Sequence, residues 1–394
     1  MTGRETPDSK PGGFIAGDTR DAGASGDTGQ DPLEEEREWE VDAGSQGESQ
    51  WETGASESDG NPAEGSSPID AGKPDSAEPI GDAGQNDSGH DTEPEDTEPE
   101  DTEPQSVTAF YFGHSLLAYA RADPNFHIPY NTGVFASAAG HEYETHGQLG
   151  WGTSIEAHWA WDSDDLGEGP AGFDQGENHP PFYAGRNGKA ELASGEYNFV
   201  VFTDSNGHAY EQGAAKGPVV SALVNFIRLA REHNPETEAM LFSCWNEIFP
   251  DEQADPSAVA YWRDSTLAEL AWWEAVTDQV NAQLEGPDML LVPVSVVIAE
   301  LAVDAAYGEL GSLDATDLFE DEAHGTETTY YAAGAAVFAA MFQQSPVGLT
   351  DEFIYWTTGG TAVDYSLPSA SVAAHVQALA LSIVQDYPRA GFHR

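Results

Sequence analysis

Four short apolar runs without alternation set what this chain can become: VTAFYF at 107–112, NFVVFT at 198–203, EAMLFSCW at 238–245 and DMLLVPVS at 288–295. Runs of this length, rich in β-branched and aromatic residues, read as strands buried on both faces. Such strands need helices above and below them, and the intervening segments supply these. Pro218 stands in the first turn of a helix in which Val220, Leu223, Val224 and Ile227 recur at helical spacing. Residues 256–284 read as a longer amphipathic helix, and 326–343 and 369–386 as two more. Strands alternating with helices give an α/β fold with a parallel sheet covered on both faces. Residues 162–190, punctuated throughout by Gly and Pro, interrupt the pattern. A loop that long in a compact domain is functional or disordered, and here it is placed as one wall of a substrate cleft.

All four runs lie beyond residue 105. Residues 1–105 hold 30 of the 70 acidic residues and 5 of the 14 basic ones, with hardly an apolar cluster among them. Such a segment buries too little surface to offset its chain entropy and reads as a disordered acidic arm. DTEPE at 91 and 96, then DTEP at 101, makes its end an extended spacer. Residues 106–394 form one domain. They still carry 40 acidic against 9 basic residues, which excludes nucleic acid and anionic membrane as partners, because phosphates need Lys and Arg. A surface this acidic is suited to high salt, where repulsion is screened within a few Å.

Cys244 is the single cysteine, so no intrachain disulfide forms; its place in AMLFSCW marks a buried thiol. No run of 18 apolar residues could span a bilayer. GGFIAG near residue 14 is too short for a secretory h-region. The long acidic stalk nevertheless points to a secreted or cell-surface bacterial protein whose true amino terminus lies upstream, with a cytoplasmic location as the alternative.

In open α/β sheets ligands bind beyond the carboxyl ends of the strands. Ser115 follows the first strand and Asn206 follows NFVVFT, so both belong to one rim. A serine hydroxyl is a poor nucleophile unless a base takes its proton and a third group orients that base. Asp321 and His324 sit three apart, ahead of a helix that Thr326 could cap. That spacing lets the carboxylate reach the near ring nitrogen and leaves the other for the serine.

At these residues the chain resembles the SGNH (GDSL-type) hydrolases. GHSL at 113–116 resembles their first block, with Ser115 as nucleophile and His114 where Asp or Asn is common. LGWGTSIEAHW at 149–159 resembles the second, with Gly152, or alternatively Gly150, as a backbone donor to the oxyanion. FVVFTDSN at 199–206 stands where G-x-N-D is expected: Asp204 replaces the glycine, Gly207 replaces the final Asp, and Asn206 remains. DEAH at 321–324 matches the D-x-x-H block. The resemblance, which spans residues 107 to about 345, implies a three-layer α/β/α sandwich of flavodoxin-like type. It also implies a Ser115–His324–Asp321 triad, an oxyanion hole of Ser115, Gly152 and Asn206, and ester hydrolysis without a cofactor or metal.

Each piece also has a plain structural reading. Asn206-Gly207 is a turn dipeptide, and an Asp-x-x-His before a helix can be a cap and a surface histidine. Other constellations are weaker still. His141 and His146 in HEYETH are one residue too far apart for a zinc helix. DSDDLGEG at 162–169 begins like a calcium loop but has Phe173 where the closing glutamate belongs. Trp151, Trp159, Trp161 and Trp245 are core residues by default, and one or two near the rim would stack on a sugar. The reading is therefore a monomeric serine esterase of a small or saccharide-linked acyl ester. The alternatives are a non-catalytic surface binding protein that keeps the hydrolase fold and a metal-dependent hydrolase. If the acidic surface is tuned to salt, turnover of a chromogenic acetate ester rises from low to molar salt; a flat or falling response removes that reading.

Overall fold

The computed structural model describes residues 103–119, 126–150, 152–161, 171–175, 187–205, 216–356 and 361–392. The first strand, β1 (Ser106–Gly113), reaches a two-residue pair, β2 (Ala118–Tyr119) and β3 (Phe126–His127), and then α1 (Ile128–Ala138). Next come β4 (Glu142–Leu149), α2 (Ile155–Ala160), β5 (Ala171–Gln175), α3 (Gly188–Leu192), β6 (Phe199–Phe202) and α4 (Lys216–His233). The second half runs β7 (Glu238–Phe242), α5 (Pro250–Gln253), α6 (Pro256–Asn281), β8 (Leu290–Val292), α7 (Val294–Ala306) and α8 (Glu327–Phe342). A hairpin, β9 (Glu352–Trp356) and β10 (Ala362–Ser366), precedes the last helix, α9 (Ala370–Asp386).

The main sheet has the order β5-β4-β1-β6-β7-β8. Five strands are parallel and β5 runs antiparallel along one edge. Helices α1, α8 and α9 pack together, as do α2, α3, α4 and α6, and α7 contacts both α6 and α8. The architecture is a three-layer α/β/α sandwich, as the alternation of runs predicts.

β1 shows why its sequence lacks alternation. Phe110, Tyr111 and Phe112 are all completely buried because both faces of the strand are covered. Phe112 stacks on Phe202 of the adjacent β6, with ring centroids 5.4 Å apart, and meets Phe226 of α4 at 4.2 Å. Tyr111 shares a 2.6 Å hydrogen bond with Tyr143 of β4. Each such phenylalanine contributes about 1.5–3 kcal/mol through burial. In α8 every residue from Thr328 to Phe342 is buried, so this helix is apolar all round and serves as a second core element.

The structure corrects several expectations. EYETHGQL, to which the run pattern assigns no element, is the strand β4, and His141 and His146 have separate partners: Gln344 Oε1 at 2.6 Å and Tyr197 OH at 2.8 Å. Part of 162–190 is ordered as well, since Ala171–Gln175 pairs with β4 and α3 opens at Gly188. The DSDDLGEG stretch and the rest of that insertion lie outside the described residues. DMLLVPVS yields a strand of only three residues, because Pro293 ends it and α7 begins at Val294. The long helix stops at Asn281, three residues early. Thr326 occupies the N-cap position of α8, but its hydroxyl donates to Asp317 O at 2.9 Å rather than capping. Cys244 is buried, and burial pushes its thiol well up from its ordinary range. Among the described residues no helix is long and apolar enough to cross a membrane.

β1 and β6 approach so closely at their carboxyl ends that a Cβ on Gly113 would lie 2.8 Å from Thr203 Cγ2 and 3.0 Å from Leu117 Cδ2. Gly113→Ala is expected to lower the unfolding free energy in urea by about 1–3 kcal/mol through overpacking; an unchanged midpoint would contradict this packing.

Candidate active site

From β1 the chain crosses to β4 on one side, and all later parallel strands add on the other, starting with β6. The strand order thus reverses between β1 and β6, where loops leave toward opposite faces and open a crevice. Ser115 lies two residues past the end of β1, at this point.

The turn that carries Ser115 is held by several independent bonds. Leu117 N and Ala118 N both donate to His114 O, at 2.8 and 3.3 Å. Gly113 O accepts from Gly150 N at 3.0 Å and from His158 Nε2 at 3.0 Å. Ser115 O accepts from Tyr330 OH of α8 at 2.8 Å. His114 does not reach into solvent as a second base. Its Nε2 donates to Asp204 O at 2.8 Å, and its Nδ1 accepts from Leu116 N at 3.4 Å. The backbone and ring of His114 therefore define the turn, while the Ser115 hydroxyl makes no hydrogen bond among the described residues.

His158 is similarly committed. Its Nδ1 accepts from Gln148 Nε2 at 2.9 Å, so its proton sits on Nε2 toward Gly113. Burial pushes this imidazole down to about 4, and it pushes His114 down as well.

The two glycines of the second block differ in what their N–H groups do. Gly150 N is used in the bond to Gly113 O, and its carbonyl accepts from Thr153 N at 3.2 Å. Gly152 sits on the exposed turn so formed, in the left-handed region at φ +59°, and its N–H has no partner among the described residues. Only glycine adopts that conformation without cost. Ser154 then caps α2 through a 3.3 Å bond from Ala157 N. Asn206 lies outside the described residues.

Asp321 and His324 meet as their spacing predicts. His324 Nδ1 lies 2.9 and 2.8 Å from the two carboxylate oxygens of Asp321, and Asp321 Oδ1 also accepts from Ala323 N at 2.9 Å and His324 N at 2.7 Å. Burial pushes the Asp321 carboxyl up, but these N–H donors outweigh it and hold it below its ordinary value. With Nδ1 donating to a carboxylate, Nε2 is left as the basic nitrogen.

The opposite side of this pair is where sequence reasoning had no signal. The His324 ring lies flat against Tyr119, with centroids 3.9 Å apart and planes 11° from parallel. Tyr119 is four residues beyond Ser115, so the stack brings His324 to the serine's own segment. The DEAH loop hangs on residues that follow β7. Trp245 Nε1 donates to Ala323 O at 2.8 Å, Ile248 N to Glu322 O at 2.7 Å and Gln253 Nε2 to Asp321 O at 3.1 Å. Trp245 is fully buried, whereas Trp159 and Trp161 are half-buried on and just after α2.

A parallel sheet of this order, with a serine turn at its switch point and an Asp-x-x-His loop before the last core helix, decides the architecture. The fold is SGNH-hydrolase-like.

No family model matches the chain, and no curated protein matches it. Among solved structures it is similar to a DUF4886 family protein from Bacteroides uniformis, at 13% identity and a TM-score of 0.48, over 72% of this chain and 96% of that one. It is similar to a carbohydrate esterase family 3 protein from Talaromyces cellulolyticus, at 8% identity and a TM-score of 0.35, over 60% and 97%. A family two carbohydrate esterase from Clostridium thermocellum, in complex with cellohexaose, is similar at 10% identity and a TM-score of 0.34, over 61% and 65%.

The buried imidazoles give the site a pH signature. In the unfolded chain His158 binds a proton near pH 6.5, but in the folded state only near 4. Its contribution is full above pH 6.5 and is lost as the pH falls toward 4, by about 3 kcal/mol in total. His127, pushed down to about 3 by burial, acts in the same direction. Urea unfolding between pH 7 and 4 is expected to show this decline, with a shallower slope in His158→Gln; equal slopes would assign the decline elsewhere.

Proposed function

We propose that the protein is a serine esterase acting on a small or saccharide-linked acyl ester. The observation that carries this reading is the His324 ring, clamped at Nδ1 by Asp321 and laid flat on Tyr119 beside the Ser115 turn. A surface histidine that merely followed a helix cap would need neither constraint.

In this reading Ser115 Oγ attacks the ester carbonyl and its proton passes to His324 Nε2. Asp321 keeps the imidazole in the required tautomer and stabilises its charge. The developing oxyanion is met by the N–H of Ser115, the N–H of Gly152 and the side chain of Asn206, each such donor typically worth about 2.7–4 kcal/mol. Gly152 takes this role rather than Gly150 because the Gly150 N–H is bonded to Gly113 O. His324 returns its proton to the departing alcohol oxygen, then deprotonates a water that releases the acyl group from Ser115. Trp159 packs on Phe226 at 4.8 Å under the Lys189 ammonium, so the half-buried Trp161, just after α2, is the tryptophan better suited to stack on a sugar. We further propose that the protein acts as a monomer outside the cell.

Hydrolysis of chromogenic acetate and of acetylated sugars is expected to fall at least about 10³-fold in Ser115→Ala and by about 10³–10⁴-fold in Asp321→Asn. Chelator is expected to leave it unchanged. Equal, negligible rates in the folded wild type and Ser115→Ala would favour a binding protein. Chelator-sensitive activity that survives Ser115→Ala would favour a metal-dependent hydrolase.

A further inference from the structure

The completely buried Asp204 stands where the resemblance leads one to expect glycine, and it bonds to the segments that carry the first and second blocks. Its carbonyl accepts from His114 Nε2 at 2.8 Å, beside the nucleophile, and from Cys244 Sγ at 3.3 Å, beyond the end of β7. Its carboxylate Oδ1 accepts from Ile155 N at 2.8 Å, three residues after Gly152. Glycine at this position would supply the carbonyl but not the carboxylate.

We propose that Asp204 is a positioning residue that sets the oxyanion turn against the nucleophile turn. The inference rests on the esterase reading given above. The carboxylate bond fixes the first residue of α2, and the turn Gly150–Thr153 is then held at both ends. One end is the Gly150 N–H to Gly113 O bond, and the other is Ile155 on Asp204. The Asp204 carbonyl fixes the imidazole that shapes the Ser115 turn. One residue therefore sets the separation between the Ser115 Oγ and the Gly152 N–H. A rate-limiting geometry of this kind is sensitive: about 1 Å of misplacement costs about 10²-fold. Because the oxyanion exists only along the reaction path, the loss falls on kcat and leaves KM largely alone.

The test measures ester kinetics and amide hydrogen exchange over residues 150–157 in Asp204→Ala, Asp204→Asn and Ile155→Pro. Asp204→Ala is expected to lower kcat about 10–100-fold with little change in KM and to speed exchange in that segment. Asp204→Asn keeps an acceptor oxygen and is expected to stay within a few-fold of wild type. Ile155→Pro removes the donor at a first helical position, which accepts proline, and is expected to reproduce the kcat loss even if Asp204→Ala does not fold. Wild-type kcat and exchange in Ile155→Pro, or an equal loss in Asp204→Asn, would overturn the proposal. If the wild type hydrolyses no ester, the esterase reading fails, and the exchange rates alone decide whether Asp204 holds the turn.

Discussion

A central strand in a parallel sheet has neighbours on both sides, and in this protein that constraint places everything else. β1 is paired with β4 and with β6, so the chain leaving it and the chain leaving β6 go to opposite faces. The space between them cannot be filled by a continuous layer of helices. Turns at that point must satisfy their backbone groups with side chains from several elements. His158, His114 and Tyr330 do so from α2, the turn itself and α8. The serine hydroxyl is left over after this accounting.

Buried polar groups carry much of the order around the site. Gln148 bonds His158 with its amide nitrogen and accepts from Gly188 N with its oxygen at 2.8 Å. Two neutral imidazoles contribute to the frame without adding charge to the core, where a charged group faces a large desolvation cost unless it is hydrogen-bonded. The buried Asp204 carboxylate has such a bond, from Ile155 N, whereas Asp321 sits at a partly open edge where three N–H groups meet it.

The sequence made legible those elements whose chemistry is local or uniform. β1, β6, β7 and the long helices were visible because burial on both faces or one stripe leaves a plain pattern. Asp321 and His324 were visible because three residues of backbone suffice to bring them together. β4 was missed for a physical reason: its buried positions include Thr145 on one face and Gln148 on the other, polar residues that look like a loop until their partners are known. Tyr119 and Trp245 gave no signal either, because their roles depend on contacts with residues hundreds of positions or many tens away. Asp204 registered only as a break in the G-x-N-D pattern, since its three partners come from three separate segments. Asn206, read from the same stretch, lies outside the described residues.

The bond from Tyr330 to Ser115 joins residues 215 positions apart. During synthesis, the serine emerges early, whereas His324 and the helix that supports the serine turn emerge only after all six strands of the main sheet have been made. Closing so long a loop comes late in folding. A nascent or truncated chain therefore carries Ser115 without His324 beside it, and the serine turn lacks one of its supports until α8 has docked.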